Sequence, residues 1–296
     1  MTSSQGPSSP AVNALSGQAV GIVGLGLIGG SLGLDLQAAG VEVRALVHRD
    51  STAQRARERR LAQHIDTDPG VLEGCGLIVL ALPLDRLLDP PNTLLAALPT
   101  DAVITDVGSV KQPVLERWEP LHRRFVASHP MAGTAEAGVE AGIRGLFAGR
   151  PWVATPTPGT DPIALAAVEE LAALVQAQWL TCEAAAHDQA VALISHMPVL
   201  VSAALLEAAD LGGSAAGADA LVRQLASSGF ADTSRIGGGN PELGTLMARC
   251  NRDAVREALH NYRNQLEQLE ALVDQQQWQE LEGRLQRCQA LRPDFL

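Results

Sequence analysis

The sequence predicts an α/β protein in which a doubly wound parallel sheet is followed by an all-helical domain. In the first half, short apolar runs alternate with amphipathic stretches, which is typical of βαβ units. After about residue 158 the strand-like runs nearly cease and helix-like stretches follow. A chain of 296 residues is long enough for two domains. We therefore expect a disordered extension over residues 1–17, a sheet domain over 18–158 and a helical domain over 159–296.

Six apolar runs in the first half are predicted strands, because each is short and rich in Val, Ile, Leu or Ala. They are AVGIVGLG (19–26), VEVRALV (41–47), GLIVLAL (76–82), AVITDVG (102–108), RFVASHP (124–130) and PWVATPT (151–157). The stretches between the first four are predicted helices. Pro90 and Pro91 must interrupt the third of them, because proline lacks the N–H that a helix interior needs.

Helix start signals mark the second half. Asp161 and Asn240 are each followed by proline, and this pairing of an N-cap residue with proline at the first helical position begins a helix. The stretch 187–210 is apolar around most of its circumference, as in a helix that neighbours cover on several sides. We expect a homodimer that buries this surface; the alternative is a monomer with a self-contained helical bundle.

Composition excludes several classes of partner. The formal net charge is −11 and the isoelectric point is near 5.1, which disfavours nucleic acid, since binding phosphates requires a basic face. The longest apolar run, residues 77–84, is far shorter than the roughly 18 residues that span a bilayer, so no membrane is expected. The four cysteines are irregularly spaced and predict no metal site. The N-terminus lacks a cationic segment followed by an apolar one, so a cytoplasmic location is expected.

A glycine-rich turn, GLGLIGG, follows the first predicted strand and opens the first predicted helix. Gly24, Gly26 and Gly29 have the G-x-G-x-x-G spacing of a dinucleotide site in its expected βαβ context. The first two allow a tight turn and close approach of a pyrophosphate, and the third allows close helix–strand packing. Leu27 and Ile28 lie at the helix N-terminus, whose N–H groups favour an anion. The motif predicts a Rossmann-type domain.

The end of the second strand indicates which dinucleotide binds. NAD sites usually place a carboxylate there to accept hydrogen bonds from the ribose 2′-hydroxyl. Here the strand ends at Val47 and is followed by His48, Arg49, Ser51 and Thr52, which suit a 2′-phosphate. NADP is therefore expected rather than NAD. Asp50 leaves NAD open, because it could turn inward to the ribose.

Two segments that follow later strands carry chemical groups, DVGSVK (106–111) and SHPMAGT (128–134). Ligands of open α/β sheets bind beyond the carboxyl ends of the strands. Oxidation of an alcohol by nicotinamide needs a group that accepts the hydroxyl proton, and histidine suits this role. His129 is the candidate, with Ser109 as the hydroxyl that orients it. Lys111 is the only lysine in the chain.

From about residue 19 to residue 290 the chain resembles the prephenate and arogenate dehydrogenases of tyrosine biosynthesis. The segments that carry the resemblance are VGLGLIGGSL, DVGSVK, SHPMAGT, HDQAVALISHMP and DTSRIGGGNPEL. The resemblance implies a Rossmann domain, a helical dimerisation domain and the oxidative decarboxylation of a cyclohexadienol. It implies that His129 bonds the ring hydroxyl, that Ser109 supports His129 and that Arg235 binds a substrate carboxylate.

Two more histidines lie in HDQAVALISHMP. Residues nine positions apart on a straight α-helix lie on opposite sides, since nine residues turn it by about 900°. His187 and His196 should therefore not face one ligand from this helix. We expect His196 to contact substrate and His187 to be a structural cap or a domain-interface group. Thr134 is a further candidate contact to substrate or backbone.

Two departures from the family pattern concern the substrate side chain. Val199 stands where prephenate-using relatives often have a further histidine, and Ala135 followed by Glu136 stands where some have a glutamate. These favour arogenate, whose ammonium could meet Glu136 or Asp232; prephenate is the alternative. β-Hydroxyacid dehydrogenases share this layout but use a lysine of the second domain, and this chain has none after Lys111. A non-catalytic NADP-binding protein is a remote alternative.

Overall fold

The computed structural model of the protein describes residues 17–134 and 136–295. The predicted N-terminal extension therefore lies outside the described residues, apart from Gly17. The first half forms a six-stranded sheet whose paired strands all run parallel, in the order β3-β2-β1-β4-β5-β6. The strands are β1 (Ala19–Val23), β2 (Val43–Leu46), β3 (His64–Asp66), β4 (Cys75–Leu80), β5 (Val103–Asp106) and β6 (Phe125–Val126). This strand order places a ligand crevice beyond the carboxyl ends of β1 and β4, where the order reverses.

Helices cover both faces of this sheet. They are α1 (Leu27–Ala38), α2 (Asp50–Glu58), α3 (Leu84–Leu88), α4 (Asn92–Ala97) and α5 (Gln112–Trp118), with 3₁₀ turns at Pro69–Leu72 and Val139–Ala141. One apolar core contains side chains of α1 and α2, and a second core contains side chains of α3, α4 and α5. The strands between them are almost wholly buried, as expected for a parallel sheet covered on both faces.

The predicted strand at residues 124–130 is divided between two sheets. After β6 the chain leaves the large sheet, and β7 (Ser128–Pro130) joins a second sheet with β8 (Pro151–Ala154) and β9 (Gln178–Thr181). Buried hydrogen bonds hold the change of direction, because Thr105 Oγ1 bonds Val126 O at 2.7 Å and Ser128 Oγ at 2.8 Å. His129 therefore lies on β7, an edge strand of the second sheet, close to the end of β6.

The next helix, α6 (Pro162–Leu174), begins as predicted, with Asp161 accepting a hydrogen bond from Ile163 N at 2.8 Å. The sequence places α6 in the helical domain, but the structure differs. Its buried side chains belong to the same core as α1 and α2, and β9 pairs with β8. The first unit therefore continues to about residue 181, because the small apolar residues of α6 complete the core that contains α1 and α2.

The remaining chain is helical, which confirms the predicted fold class. Its elements are α7 (Ala184–Val191), a π turn (Ala192–His196), α8 (Met197–Ala215), α9 (Asp219–Leu225), α10 (Ser228–Ser234), α11 (Pro241–Cys250), α12 (Arg252–Asp274), α13 (Trp278–Leu291) and a 3₁₀ turn (Arg292–Phe295). Asn240 caps α11 as predicted, accepting hydrogen bonds from Glu242 N and Leu243 N. Helices α7 and α11 pack against α5 and α3 of the first unit.

The continuous helical segment from Ala184 to Ala215 is long and apolar enough, by length and composition, to cross a membrane. The segment is not an unbroken apolar run in the sequence, because His187, Asp188 and His196 interrupt it. Only 22% of its most apolar window is buried within the chain. A large apolar surface of this helix is therefore left for another partner.

Candidate active site

The glycine turn after β1 has the shape that a pyrophosphate site requires. Gly24 has a φ of +95°, and a Cβ there would lie 2.4 Å from Ala81 O. A Cβ on Gly29 would lie 2.0 Å from Gly24 O, so this glycine lets α1 pack against the turn. Gly26, the N-cap residue of α1, has no neighbouring atom in the space a Cβ would fill, which leaves the backbone open to a ligand.

The first turn of α1 offers free backbone donors to that ligand. Its helical ladder begins with Gly30 N donating to Gly26 O at 2.8 Å, so the N–H groups of Leu27, Ile28 and Gly29 have no partner within the helix. No side chain caps this end and no acidic residue lies in its first turn. These residues fit a dinucleotide phosphate.

The end of β2 presents the residues expected for the adenosine ribose. His48, Arg49 and Ser51 are exposed and Thr52 is half-buried at the start of α2. Asp50 Oδ1 accepts a hydrogen bond from Thr67 Oγ1 at 3.2 Å, so the one carboxylate here already has a partner in the loop after β3.

His129 lies on β7 beside the second unit. Its Nδ1 lies 3.0 Å from His187 Nε2, and the two rings meet edge to face. Burial lowers the pKa of His129 well below its ordinary value, and the charges of His187, Lys111 and His196 would lower it further. The imidazole is therefore neutral at physiological pH and able to accept a proton.

His187 continues the hydrogen-bonded chain to a carboxylate that the sequence analysis did not single out. Its Nδ1 lies 2.8 Å from Asp188 Oδ1. Asp188 Oδ1 also accepts from Lys111 N at 2.7 Å, and Oδ2 accepts from Gln112 N at 2.8 Å, at the start of α5. The structure thus makes His187 a domain-interface group that contacts His129 directly.

Ser109 does not hold His129 as expected. Its buried Oγ has no hydrogen-bond partner among the described residues, and His187 occupies the His129 nitrogen that a serine would support. His187 lies 58 residues downstream of His129, so sequence spacing gave no signal of this contact. The unpartnered Ser109 hydroxyl remains available to a ligand.

His196 is buried near His129, and a residue missed in the sequence, Asn251, orients it. Asn251 Nδ2 donates to Asp188 O at 2.7 Å and lies 3.2 Å from His196 Nδ1. An amide nitrogen only donates, so His196 Nδ1 accepts and its Nε2 carries the proton. Burial lowers the pKa of His196 to about 4, so the ring is neutral. Its buried Nε2 lies near the Ser109 backbone, which offsets part of that pKa shift, but makes no hydrogen bond of ordinary geometry to a described residue.

The expectation that His187 and His196 face opposite sides assumed a straight α-helix, and the helix between them is not regular. The π turn at Ala192–His196 winds more residues into one turn than an α-helix does, which reduces the angle between the two side chains. Pro198, two residues after the π turn, has no N–H to donate to the helical ladder. Both histidines act electrostatically on His129 as a result.

Lys111 lies beneath this cluster. Its side chain and that of Asp106 are fully buried, and Lys111 Nζ donates to Asp106 Oδ2 and, at 2.7 Å, to Ser128 O. Asp106 also accepts from Gly108 N at 2.8 Å and from Ser128 N at 3.1 Å. Burial lowers the pKa of Lys111 and the Asp106 carboxylate offsets part of that shift. The ion pair fixes the backbone that carries His129.

The other predicted substrate residues are not brought to His129 by the described contacts. Arg235 is exposed at the end of α10, and Thr134 is exposed with its Oγ1 accepting from Glu136 N at 3.2 Å. Glu136 and Asp232 are exposed, and Val199 packs against Gly244 of α11. Ala135 lies outside the described residues.

Comparison with known proteins identifies relatives over nearly the whole chain. Residues 32–181 match the family model described as prephenate dehydrogenase, nucleotide-binding domain, and residues 183–287 match prephenate dehydrogenase, dimerization domain. The boundary between the two matches agrees with the unit boundary seen in the structure. The chain is 27% identical to the cyclohexadienyl dehydrogenase of Zymomonas mobilis over 263 residues, which cover 87% of this chain and 89% of that protein.

Two solved structures extend the likeness. Arogenate dehydrogenase from Synechocystis is 41% identical, with a TM-score of 0.79 and coverage of 94% of this chain and 100% of that one. Prephenate dehydrogenase from A. aeolicus, solved with hydroxyphenyl propionate and NAD+, is 26% identical, with a TM-score of 0.87 and coverage of 95% and 99%. The chain therefore belongs to the prephenate dehydrogenase family, whose members include arogenate and cyclohexadienyl dehydrogenases.

Proposed function

We propose that the protein is an NADP-dependent arogenate dehydrogenase that forms tyrosine by oxidative decarboxylation. The observation that carries this proposal is the neutral His129 imidazole, grouped with the unpartnered Ser109 hydroxyl and with His196, whose Nε2–H lies near the Ser109 backbone. One group accepts a proton and two can bond oxygen atoms of a substrate. This set suits a ring that carries both a hydroxyl and a carboxylate.

The proposed reaction needs one base and side chains that hold the substrate ring in place. NADP, when bound at the glycine turn, would supply the hydride acceptor. His129 Nε2 accepts the hydroxyl proton while hydride leaves the ring carbinol carbon. The ring carboxylate departs as carbon dioxide and leaves its electron pair to the ring, which becomes aromatic. The proton then returns from His129 to the ring oxygen, so no net proton is released. Ser109 and His196 orient the ring by hydrogen bonds.

NADP is proposed over NAD because of the residues after β2. Arg49 and Ser51 are exposed there, and Asp50 is engaged by Thr67, which leaves it a poorer acceptor for a ribose 2′-hydroxyl. The A. aeolicus structure was solved in complex with NAD+, so both cofactors must be tested.

Arogenate is proposed over prephenate because of the side-chain end of the site. Val199 offers no hydrogen bond to a side-chain ketoacid, and Glu136 and Asp232 are exposed carboxylates that could meet an ammonium group. We further propose Arg235 and Thr134 as substrate contacts that domain closure or a second subunit would complete. Prephenate dehydrogenase activity is the alternative.

Steady-state assays with both substrates and both cofactors test the proposal. We expect the highest kcat/KM with arogenate and NADP. A higher kcat/KM with prephenate and NAD would contradict it. Tight NADP binding without turnover of either substrate would instead favour the non-catalytic alternative.

We also propose a cytoplasmic homodimer. The apolar segment Ala184–Ala215 lies within the match to a dimerization domain, and exposed Leu193, Ile194 and Leu211 lie along it. A second copy would bury this surface. Light scattering after size-exclusion chromatography without detergent should give about twice 31.0 kDa. A monomer, or a protein recovered only with membranes, would contradict this assembly.

A further inference from the structure

The hydrogen-bonded chain that runs from His129 through His187 ends at the Asp188 carboxylate, which has no proton to donate. Asp188 accepts backbone N–H groups on both oxygens, from Lys111 on Oδ1 and from Gln112 on Oδ2. A carboxyl group that accepts on both oxygens is an ionised carboxylate, so the hydrogen in the 2.8 Å bond to His187 belongs to Nδ1. The backbone N–H groups at the start of α5 therefore determine which nitrogen of His187 carries the proton.

That proton position determines the next one. A neutral His187 with its proton on Nδ1 has a lone pair on Nε2, which can only accept. His129 Nδ1, 3.0 Å away, must then donate to it. The neutral His129 ring consequently has no proton on Nε2, and this is the nitrogen that the proposed function uses as the base.

We propose that His187 and Asp188 are positioning residues that set the tautomer of His129 and stabilise the positive charge it gains. The inference rests on the proposed role of His129. When His129 Nε2 accepts the substrate proton, the imidazolium is bonded through His187 to the Asp188 carboxylate, in the manner of a histidine oriented by a buried acid. His187, Lys111 and His196 each disfavour this charge on His129, and Asp188, bonded to His187 at 2.8 Å, is the carboxylate that can offset it.

The geometry also explains how the two units cooperate. Asp188 binds the N-terminus of α5 in the first unit, while His187 is on α7 in the second. The base is therefore oriented only when the helical unit is docked. The backbone O of Asp188 also accepts a hydrogen bond from Asn251 Nδ2, so Asp188 contributes to orienting both His129 and His196.

The first experiment reads the proton directly. In enzyme labelled with ¹⁵N-histidine, long-range ¹H–¹⁵N spectra distinguish the tautomers, and the chain has only seven histidines. The signal of His129 is assigned by its loss in His129→Asn. We expect the proton on Nδ1 in the wild type. A proton on Nε2 of His129 in the wild type would overturn the proposal.

The second experiment removes the carboxylate charge and keeps the hydrogen-bonded chain. In Asp188→Asn the carboxamide oxygen can take the Oδ1 position, where it still accepts from Lys111 N and His187 Nδ1, and only the bond from Gln112 N is lost. The tautomers are then retained, but the charge that stabilises the His129 imidazolium is gone. We expect kcat per folded enzyme to fall at least about 100-fold with little change in the Kd of NADP. A purely structural role would lower Tm and leave kcat unchanged.

A third variant keeps the test decisive if Asp188→Asn fails to fold. His187→Ala removes the middle ring, and added imidazole should restore part of its kcat, whereas His122→Asn, which removes a half-buried histidine from another place, should leave kcat unchanged. Different results would refute the proposed function and the role of His187 and Asp188. An active His129→Asn refutes the proposed function, while an inactive His129→Asn beside fully active Asp188→Asn and His187→Ala refutes only this inference.

Discussion

The buried pair of Lys111 and Asp106 gives a stability prediction that can be worked from the structure. Lys111→Met keeps an unbranched apolar stem but removes the ammonium from a site where both side chains are fully buried. Asp106 would keep the N–H donors of Gly108 and Ser128 and lose its only cation. Removing one partner of a buried ion pair costs about 3–5 kcal/mol, because the remaining charge stays desolvated. We expect the free energy of unfolding to fall by that amount.

Urea unfolding at neutral pH measures this loss, with an unchanged m-value indicating that the folded state is the same. The double variant Asp106→Asn with Lys111→Met should recover part of the loss, since a neutral amide replaces the unpaired carboxylate. Arg123→Ala is the matched control, because it breaks an exposed ion pair with Asp101 and should change stability little. A loss below about 1 kcal/mol in Lys111→Met would refute the claim that this ion pair holds the strand of His129 in place.

Four further substitutions test the ligand sites and the glycine turn. Gly26→Ala should leave Tm unchanged and weaken NADP binding, because its Cβ enters the open space where the ligand would lie. Gly29→Ala should lower Tm, because its Cβ would lie 2.0 Å from Gly24 O. Equal effects of the two variants on Tm and on NADP binding would contradict this difference. Arg49→Ala should reduce the ratio of NAD Kd to NADP Kd, and titration of both cofactors would show an unchanged ratio if the 2′-phosphate is bound elsewhere. Arg235→Gln should chiefly raise KM for the substrate, and an unchanged KM would remove this exposed arginine from the site.

Features with a local cause could be predicted from the sequence. The glycine turn and the caps at Asp161 and Asn240 depend on residues within one turn of each other, and the structure shows each where it was expected. The two short strands that were missed, β3 and β9, have three and four residues and exist through pairing with neighbours rather than through a pattern of their own.

The arrangement around the base could not be predicted, because it depends on contacts between distant segments. His187 reaches His129 across 58 residues and Asn251 reaches His196 across 55. The π turn places His187 and His196 near the same base, and a regular helix drawn from the sequence separates them. In the sequence Lys111 stands out only as the single lysine. Its partner Asp106 lies in the same segment, DVGSVK, but nothing in the sequence indicates that both side chains are buried.

The central claim is that His129 accepts the hydroxyl proton of the substrate. Replacing it by asparagine keeps a side chain that can hydrogen-bond to His187 but cannot take up a proton at neutral pH. The direct measurement is kcat of His129→Asn with arogenate and NADP, together with the Kd of NADP. We expect kcat to fall about 100-fold or more and the Kd to stay nearly unchanged. A His129→Asn enzyme with kcat close to that of the wild type would contradict it.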